Sequence, residues 1–160
     1  MKKAIFLDRD GVINEERGEY TFKKDDFKFV TDIFKALTIL QNKGFVFIII
    51  TNQSGIDKGI YAHQDVDTLH TYMLNEFTKN KISILEVYYS PHHPDKGKSI
   101  SRKPDSLLLE KAIARFDIDV TKSYFIGDRD RDIDSATKVG VKGILVDSNQ
   151  SLLPIIDSIN

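Results

Sequence analysis

The chain has 160 residues and no Cys, with 23 Lys+Arg against 24 Asp+Glu for a formal net charge of −1. The even charge excludes a basic coat for nucleic acid or an anionic membrane surface, and the missing Cys excludes disulfides, a thiol nucleophile and thiolate metal ligands. One domain over 1–160 is expected, able to bury roughly two thirds of its unfolded surface; no segment is long enough to span a bilayer, and the start reads as a strand rather than a signal peptide, so a cytoplasmic protein is expected.

Ile5, Phe6 and Leu7 form a continuous apolar run, predicting a buried strand over 3–7. A polar stretch follows to about Phe29. Ile33, Phe34, Leu37 and Leu40 repeat at helical spacing, and Gly44 closes that helix. A second strand is expected over 45–50. A helix over 63–79 carries Val66, Leu69, Met73 and Phe77 on one face. A third strand is expected over 84–89, an irregular loop over 90–104 and a helix over 106–116. A fourth strand over 123–126, a helix over 133–139 closed by Gly140, a fifth strand over 143–146 and a short helix over 152–159 complete the chain. Strands alternating with helices predict an α/β, Rossmann-like three-layer sandwich with a mostly parallel central sheet.

Asp8 and Asp10 stand where the first strand ends, and Gly11 permits a sharp turn just after them. In open α/β sheets, ligands bind beyond the carboxyl ends of the strands. Two acids held there are costly unless a cation or a reaction uses them. Similar junctions follow. The second strand ends in Thr51-Asn52-Gln53-Ser54-Gly55, and the fourth in Gly127-Asp128. Arg102-Lys103-Pro104 precedes a helix.

This ordered set, Asp-x-Asp, Thr, Lys and Gly-Asp, resembles the haloacid dehalogenase (HAD) superfamily of phosphotransferases. Asp8-Arg9-Asp10-Gly11-Val12-Ile13-Asn14, Thr51-Asn52-Gln53-Ser54-Gly55-Ile56, Pro91-His92-His93-Pro94, Arg102-Lys103-Pro104 and Gly127-Asp128 are similar to the branch holding histidinol-phosphate and heptose-1,7-bisphosphate phosphatases. The intervals from Asp10 to Thr51 and from Thr51 to Lys103 leave no room for a cap domain. A capless site is expected, shaped by the loops 14–30, 53–62 and 90–103.

The resemblance implies a phosphomonoesterase. Asp8 would attack phosphorus and form an aspartyl-phosphate. Asp10 would protonate the leaving alcohol and then activate water, a dual role suited to a carboxyl whose pKa a neighbouring anion raises. Asp8, Asp128 and the Asp10 carbonyl would bind Mg²⁺ through hard oxygen. Thr51 and Lys103 would hold the transferring phosphoryl group, with Asn52, Gln53 and Ser54 around it. Arg9, Arg102 and Arg129 complete the expected substrate contacts. Asp132 matches the family's later acid, orienting Lys103 or a metal-bound water. Asp130, Arg131 and Asp134 read as the charged first turn of a helix.

The run 128–139 also alternates Asp in the manner of a calcium loop, but Ile133 and Val139 stand where an EF-hand needs Gly and Glu. Related enzymes bind a structural zinc in the loop 90–103 with three Cys and one His. Here Ser90, His92, Ser99 and Ser101 occupy the matching positions, so no zinc is expected. The run 51–56 followed by Gly59 and Tyr61 is closer to the heptose branch, giving a small phosphorylated sugar as the expected partner. Glu15, Glu16, Glu19 and Tyr20 keep an amine such as histidinol phosphate open. A polynucleotide 3′-phosphatase shares the motifs but wants a basic stripe that is missing. An inactive binding protein would not need every catalytic residue, and all are present.

Overall fold

The computed structural model describes residues 1–160. Five strands, β1 (Ala4–Leu7), β2 (Val46–Asn52), β3 (Ile84–Ser90), β4 (Tyr124–Gly127) and β5 (Lys142–Leu145), form one sheet in the order β3-β2-β1-β4-β5. Every pairing is parallel, with Leu7 opposite Ile49 on one side and Ile126 on the other.

A central parallel sheet is covered on both faces, so its strands are apolar throughout and alternate residues serve opposite layers. Ile5, Leu7, Phe47, Ile49 and Ile126 belong to one core cluster. Ala4, Phe6, Ile48, Ile50 and Phe125 belong to the other. Two helices, α1 (Ile33–Asn42) and α2 (His63–Lys79), bury Leu37, Leu40, Leu69, Met73 and Phe77 in the first cluster. Two more, α3 (Leu107–Phe116) and α4 (Asp130–Lys138), bury Leu109, Ala112 and Ala136 in the second. No helix is long and apolar enough to cross a membrane.

The expected elements are all present, with informative shifts at two ends. Strand β2 runs on through Thr51 and Asn52, which pair with Tyr89 and Ser90. Polarity there marks where side chains leave the core, not where the backbone ladder stops. Helix α4 starts at Asp130 rather than 133. Asp132 Oδ2 accepts the backbone N–H of Arg129 at 3.1 Å, so the charged residues form a capped first turn.

The chain winds outward from β1 to β3 and then returns to the far side of β1. The point of reversal lies between β1 and β4. A crevice opens at such a switch point beyond the strand ends, and here it falls between Asp8 and Asp128.

Candidate active site

After β1 the chain curls around one carbonyl. The Arg9 C=O accepts N–H groups from Val12, Ile13 and Asn14 at 3.2, 2.8 and 3.1 Å. Gly11 adopts φ +90°, and a Cβ there would collide with the Asp128 carboxylate. Glycine at this turn therefore lets the acid of β4 approach the acids of β1.

Behind Asp8 lies a closed ion cluster. Lys103 Nζ stands 2.8 Å from Asp8 Oδ1, 2.7 Å from Asp132 Oδ1 and 2.8 Å from the Ile50 carbonyl. The ammonium hydrogen-bonds Asp8 and the Ile50 carbonyl and is ion-paired with Asp132. Burial alone would lower the Lys103 pKa, but Asp8 and Asp132 outweigh it and hold the group above its usual value. Asn52 pins the lysine's backbone: its Oδ1 accepts the Lys103 N–H at 3.1 Å and its Nδ2 donates to the Lys103 carbonyl at 3.2 Å. Gly127 makes room for Asp132, whose side chain would meet any Cβ at that position. Asp132 is in contact with Lys103, as the first of its two expected roles requires.

Asp10 is held by three donors. Arg9 Nη2 and Asn14 Nδ2 bond its Oδ1 at 2.9 and 3.0 Å, and Gln53 Nε2 bonds its Oδ2 at 3.1 Å. Burial would raise the Asp10 pKa, but these donors, Arg9 foremost, hold it below the usual carboxylate value. This corrects the expectation of a raised pKa at Asp10. Asp8 is raised instead, pushed to about 6 by burial and by the charge of Asp132, against the pull of Lys103.

Arg9 also departs from expectation. Its side chain is fully buried, with Nη2 donating to the Thr21 carbonyl at 2.6 Å and Nη1 lying 3.1 Å from His70 Nε2. With its fork directed inward, it braces Asp10 and offers no surface to a substrate. Gln53 is likewise a brace: Nε2 reaches both Asp10 and Thr51 Oγ1, at 3.1 and 3.0 Å, while Oε1 accepts from Tyr61 OH at 2.8 Å.

Asp8 and Asp128 suit a hard divalent cation. Asp128 Oδ1 is buried without a hydrogen-bond partner, and burial holds its pKa above the usual range. An acidic oxygen from each of Asp8, Asp128 and Asp132 lies within a 4.8 Å cluster. Asp132 Oδ2 accepts the Arg129 N–H, and its Oδ1 is ion-paired with Lys103 but accepts no hydrogen bond. The Asp10 carbonyl takes no part in the turn's backbone hydrogen bonds. Two carboxylates and a free carbonyl make an oxygen set of the kind Mg²⁺ takes.

In front of these groups opens a cavity of about 470 Å³, reached by Asp8, Asp10 and Asp128 at one end. The loop 16–21 supplies Glu16, Glu19 and Tyr20, and the end of β2 with the turn after it supplies Asn52, Gln53 and Ser54. Arg102, Arg129 and Arg131 complete the wall. Thr51 and Lys103 are buried rather than on the cavity wall, Lys103 against Asp8 and Thr51 Oγ1 against Gln53 Nε2. In the loop 90–103, Ser101 Oγ lies 2.9 Å from both Ser90 Oγ and Ser99 Oγ, and His92 turns toward Asp57.

Sequence reasoning passed over His70 and Ser148, whose Oγ donates to Asp128 Oδ2 at 2.6 Å. His70 left a signal: it sits on the apolar stripe of α2 with Val66, Leu69, Met73 and Phe77. Ser148 left none.

A buried Asp just after β1, bridged through Lys103 to Asp132, meets a further acid just after β4 at one switch point, the arrangement of a HAD-like hydrolase of the phosphatase class. A family model for HAD-hydrolase-like proteins matches residues 100–153. D-glycero-beta-D-manno-heptose-1,7-bisphosphate 7-phosphatase of Haemophilus ducreyi is 38% identical over 147 residues, covering 88% of this chain and 80% of the relative. D-glycero-alpha-D-manno-heptose-1,7-bisphosphate 7-phosphatase of Campylobacter jejuni is 39% identical, covering 90% and 81%. The solved structure of D,D-heptose 1,7-bisphosphate phosphatase from B. bronchiseptica, complexed with magnesium and phosphate, superposes with a TM-score of 0.83 at 26% identity, covering 89% of this chain and 79% of that one. The chain belongs to the heptose-1,7-bisphosphate 7-phosphatase family of HAD-like phosphatases.

Proposed function

We propose that this phosphatase uses Mg²⁺ to remove one phosphate from a doubly phosphorylated sugar of the D-glycero-D-manno-heptose 1,7-bisphosphate kind. The observation that carries the proposal is a single cavity lined both by the carboxylates of Asp8, Asp10 and Asp128 and by the guanidiniums of Arg102, Arg129 and Arg131. A substrate with two separated anions matches that layout. The relatives' names agree, as does the magnesium and phosphate in the B. bronchiseptica structure.

Asp8 attacks phosphorus along the line of the leaving oxygen and becomes an aspartyl-phosphate. Lys103, pinned between Asp8 and Asp132, holds the attacking carboxylate in one orientation and sets a positive charge beside the transferring group. Thr51 adds a hydroxyl next to it. Asp10 delivers a proton to the leaving sugar oxygen, then takes one from the water that hydrolyses the aspartyl ester. In the resting site Arg9, Asn14 and Gln53 keep Asp10 ionised. A phosphate dianion arriving beside it pushes its pKa upward, so protonation accompanies substrate binding. Mg²⁺ held by Asp8, Asp128 and the Asp10 carbonyl supplies positive charge to offset the repulsion between the carboxylate and the phosphate. Arg102 and Arg129 meet the remainder of the substrate.

Arg102, Arg129 and Arg131 share the cavity with Glu16 and Glu19, and Arg129 Nε lies 3.8 Å from Asp128 Oδ2. The loop 90–103 is held by serine hydroxyls, whose neutral oxygens are poor zinc ligands, and carries no zinc in this proposal. A highly charged sugar bisphosphate does not cross a bilayer unaided, and the cytoplasm is the proposed compartment. Phosphate release from a panel of sugar bisphosphates, sugar monophosphates and histidinol phosphate tests the assignment. A preference for histidinol phosphate would overturn it.

A further inference from the structure

The brace on Asp10 does not end at Arg9. Arg9 Nη2 donates to Asp10 Oδ1 at 2.9 Å and to the Thr21 carbonyl at 2.6 Å. The other arm of the fork, Nη1, lies 3.1 Å from His70 Nε2, and Nε is buried with no hydrogen-bond partner. His70 therefore fixes the second arm. Its ring is buried on the inner stripe of α2, and the Tyr89 ring of β3 meets it at 72° with centroids 5.8 Å apart. A guanidinium has only donors, so His70 Nε2 is an acceptor and the ring is neutral with its proton on Nδ1. Burial, then the charge of Arg9, keeps it neutral, with the pKa lowered from 6.5 to about 3. A carboxylate in the same place would share the Arg9 charge with Asp10. An imidazole fixes the guanidinium without drawing that charge away.

We propose that His70 is a positioning residue for proton transfer at Asp10, acting through Arg9 from outside the cavity. The assignment rests on Asp10 being the acid of the proposed reaction. A planar guanidinium held at Nη2 alone turns about that contact; held at Nη1 as well, its plane is fixed. Asp10 Oδ1 is bonded to this fixed fork, while Asn14 and Gln53 hold the carboxylate from other sides. Proton transfer needs the carboxyl within hydrogen-bond reach of the leaving oxygen, and a small misplacement of it is costly. His70 is not on the cavity wall, so its loss leaves the substrate's contacts in place. The defect falls on the proton step.

The test is the rate of aspartyl-phosphate formation in single turnovers at saturating Mg²⁺, read on two substrates. D-glycero-D-manno-heptose 1,7-bisphosphate releases a sugar oxygen that needs the proton. p-Nitrophenyl phosphate releases a stabilised phenolate that does not. His70→Phe keeps a ring but no acceptor. It is expected to lose about 10-fold or more on the heptose substrate, with substrate affinity little changed, and less than about threefold on the aryl ester. His70→Gln restores an acceptor and is expected to recover most of that loss. Imidazole nitrogen chemical shifts in the parent, expected to place the proton on Nδ1, test the same contact without any substitution. Asp10→Asn, run in parallel, is expected to lose more on the heptose substrate than on the aryl ester. Equal losses in Asp10→Asn would overturn the acid assignment, and the role of His70 with it. If Asp10→Asn discriminates between the substrates and His70→Phe does not, or if the parent carries the proton on Nε2, the positioning role alone is overturned.

Discussion

Lys103 Nζ and Asp8 Oδ1 are 2.8 Å apart, both side chains almost closed to solvent, and Asp132 completes the charge balance from the other side at 2.7 Å. One buried cation thus serves two buried anions. Removing Lys103 and removing the Asp8 carboxylate are therefore different perturbations.

Asp8→Asn abolishes turnover, by about four orders of magnitude or more, because the covalent step is gone. It leaves the fold intact, since Lys103 retains Asp132 and the Ile50 carbonyl. Lys103→Met lowers turnover on every substrate, and also destabilises the protein by about 3–5 kcal/mol through two unpaired buried carboxylates. Steady-state rates and denaturant melts on both variants check the contrast. A Lys103→Met protein as stable as the parent would refute the buried-triad account.

Gln53→Ala lowers kcat by about 10- to 100-fold while changing KM little, because Asp10 and Thr51 lose the amide that fixes them together. The sign of the pH effect follows from the donor removed. With one hydrogen bond to the ionised form gone, the Asp10 pKa rises. The limb of the rate profile that requires protonated Asp10 then shifts to higher pH. Tyr61→Phe, which frees only Gln53 Oε1, gives the same shift in smaller measure. A profile unmoved in Gln53→Ala would show that Gln53 does not set Asp10.

Mg²⁺ raises the melting temperature of the metal-free protein, because Asp8 and Asp128 are buried anions that the cation neutralises. At 100-fold excess over Kd the gain is about 2.7 kcal/mol. Asp8 favours its proton up to about pH 6, so proton and metal compete below that value. The stabilisation is larger at pH 7.5 than at pH 5. In Asp128→Asn the response to Mg²⁺ is largely lost, and chelation of the parent removes activity. Thermal scans with and without Mg²⁺ at the two pH values provide the measurement.

His70 makes the fold sensitive to acid. Burial, then the charge of Arg9, lowers its pKa from 6.5 to about 3. The unfolded chain therefore binds a proton near pH 6.5 that the folded chain refuses. Stability contributed by neutral His70 is complete above 6.5 and is lost progressively as pH falls toward 3, by about 2 kcal/mol at pH 5. His70→Gln retains a hydrogen-bond acceptor for Arg9 without a titrating ring, and its stability between pH 6.5 and 5 should decline less than the parent's by that amount. Parallel pH slopes for the two proteins would remove His70 as the source.

What the sequence determined by itself was local. Apolar runs and 3.6-residue spacing marked all five strands and four helices, because each element's burial pattern is written in its own residues. Asp8, Asp10, Thr51, Lys103 and Asp128 were legible as acids, a hydroxyl and a cation at strand or helix ends. Their arrangement was not. The sheet order β3-β2-β1-β4-β5 brings Gln53 and Tyr61 to one side of Asp10, Arg9 and Asn14 to the other, and Lys103 between Asp8 and Asp132. The sequence pointed to a raised Asp10 pKa because two acids stand two residues apart; three donors, one of them contributed from β2's end, reverse that sign. The family resemblance placed Arg9 among the substrate contacts. The turn points it inward, where His70 of α2 and the Thr21 carbonyl receive it. Proximity along the chain identifies the groups, but a pKa or a contact depends on distance and dielectric in space, and those are set only when distant segments pack.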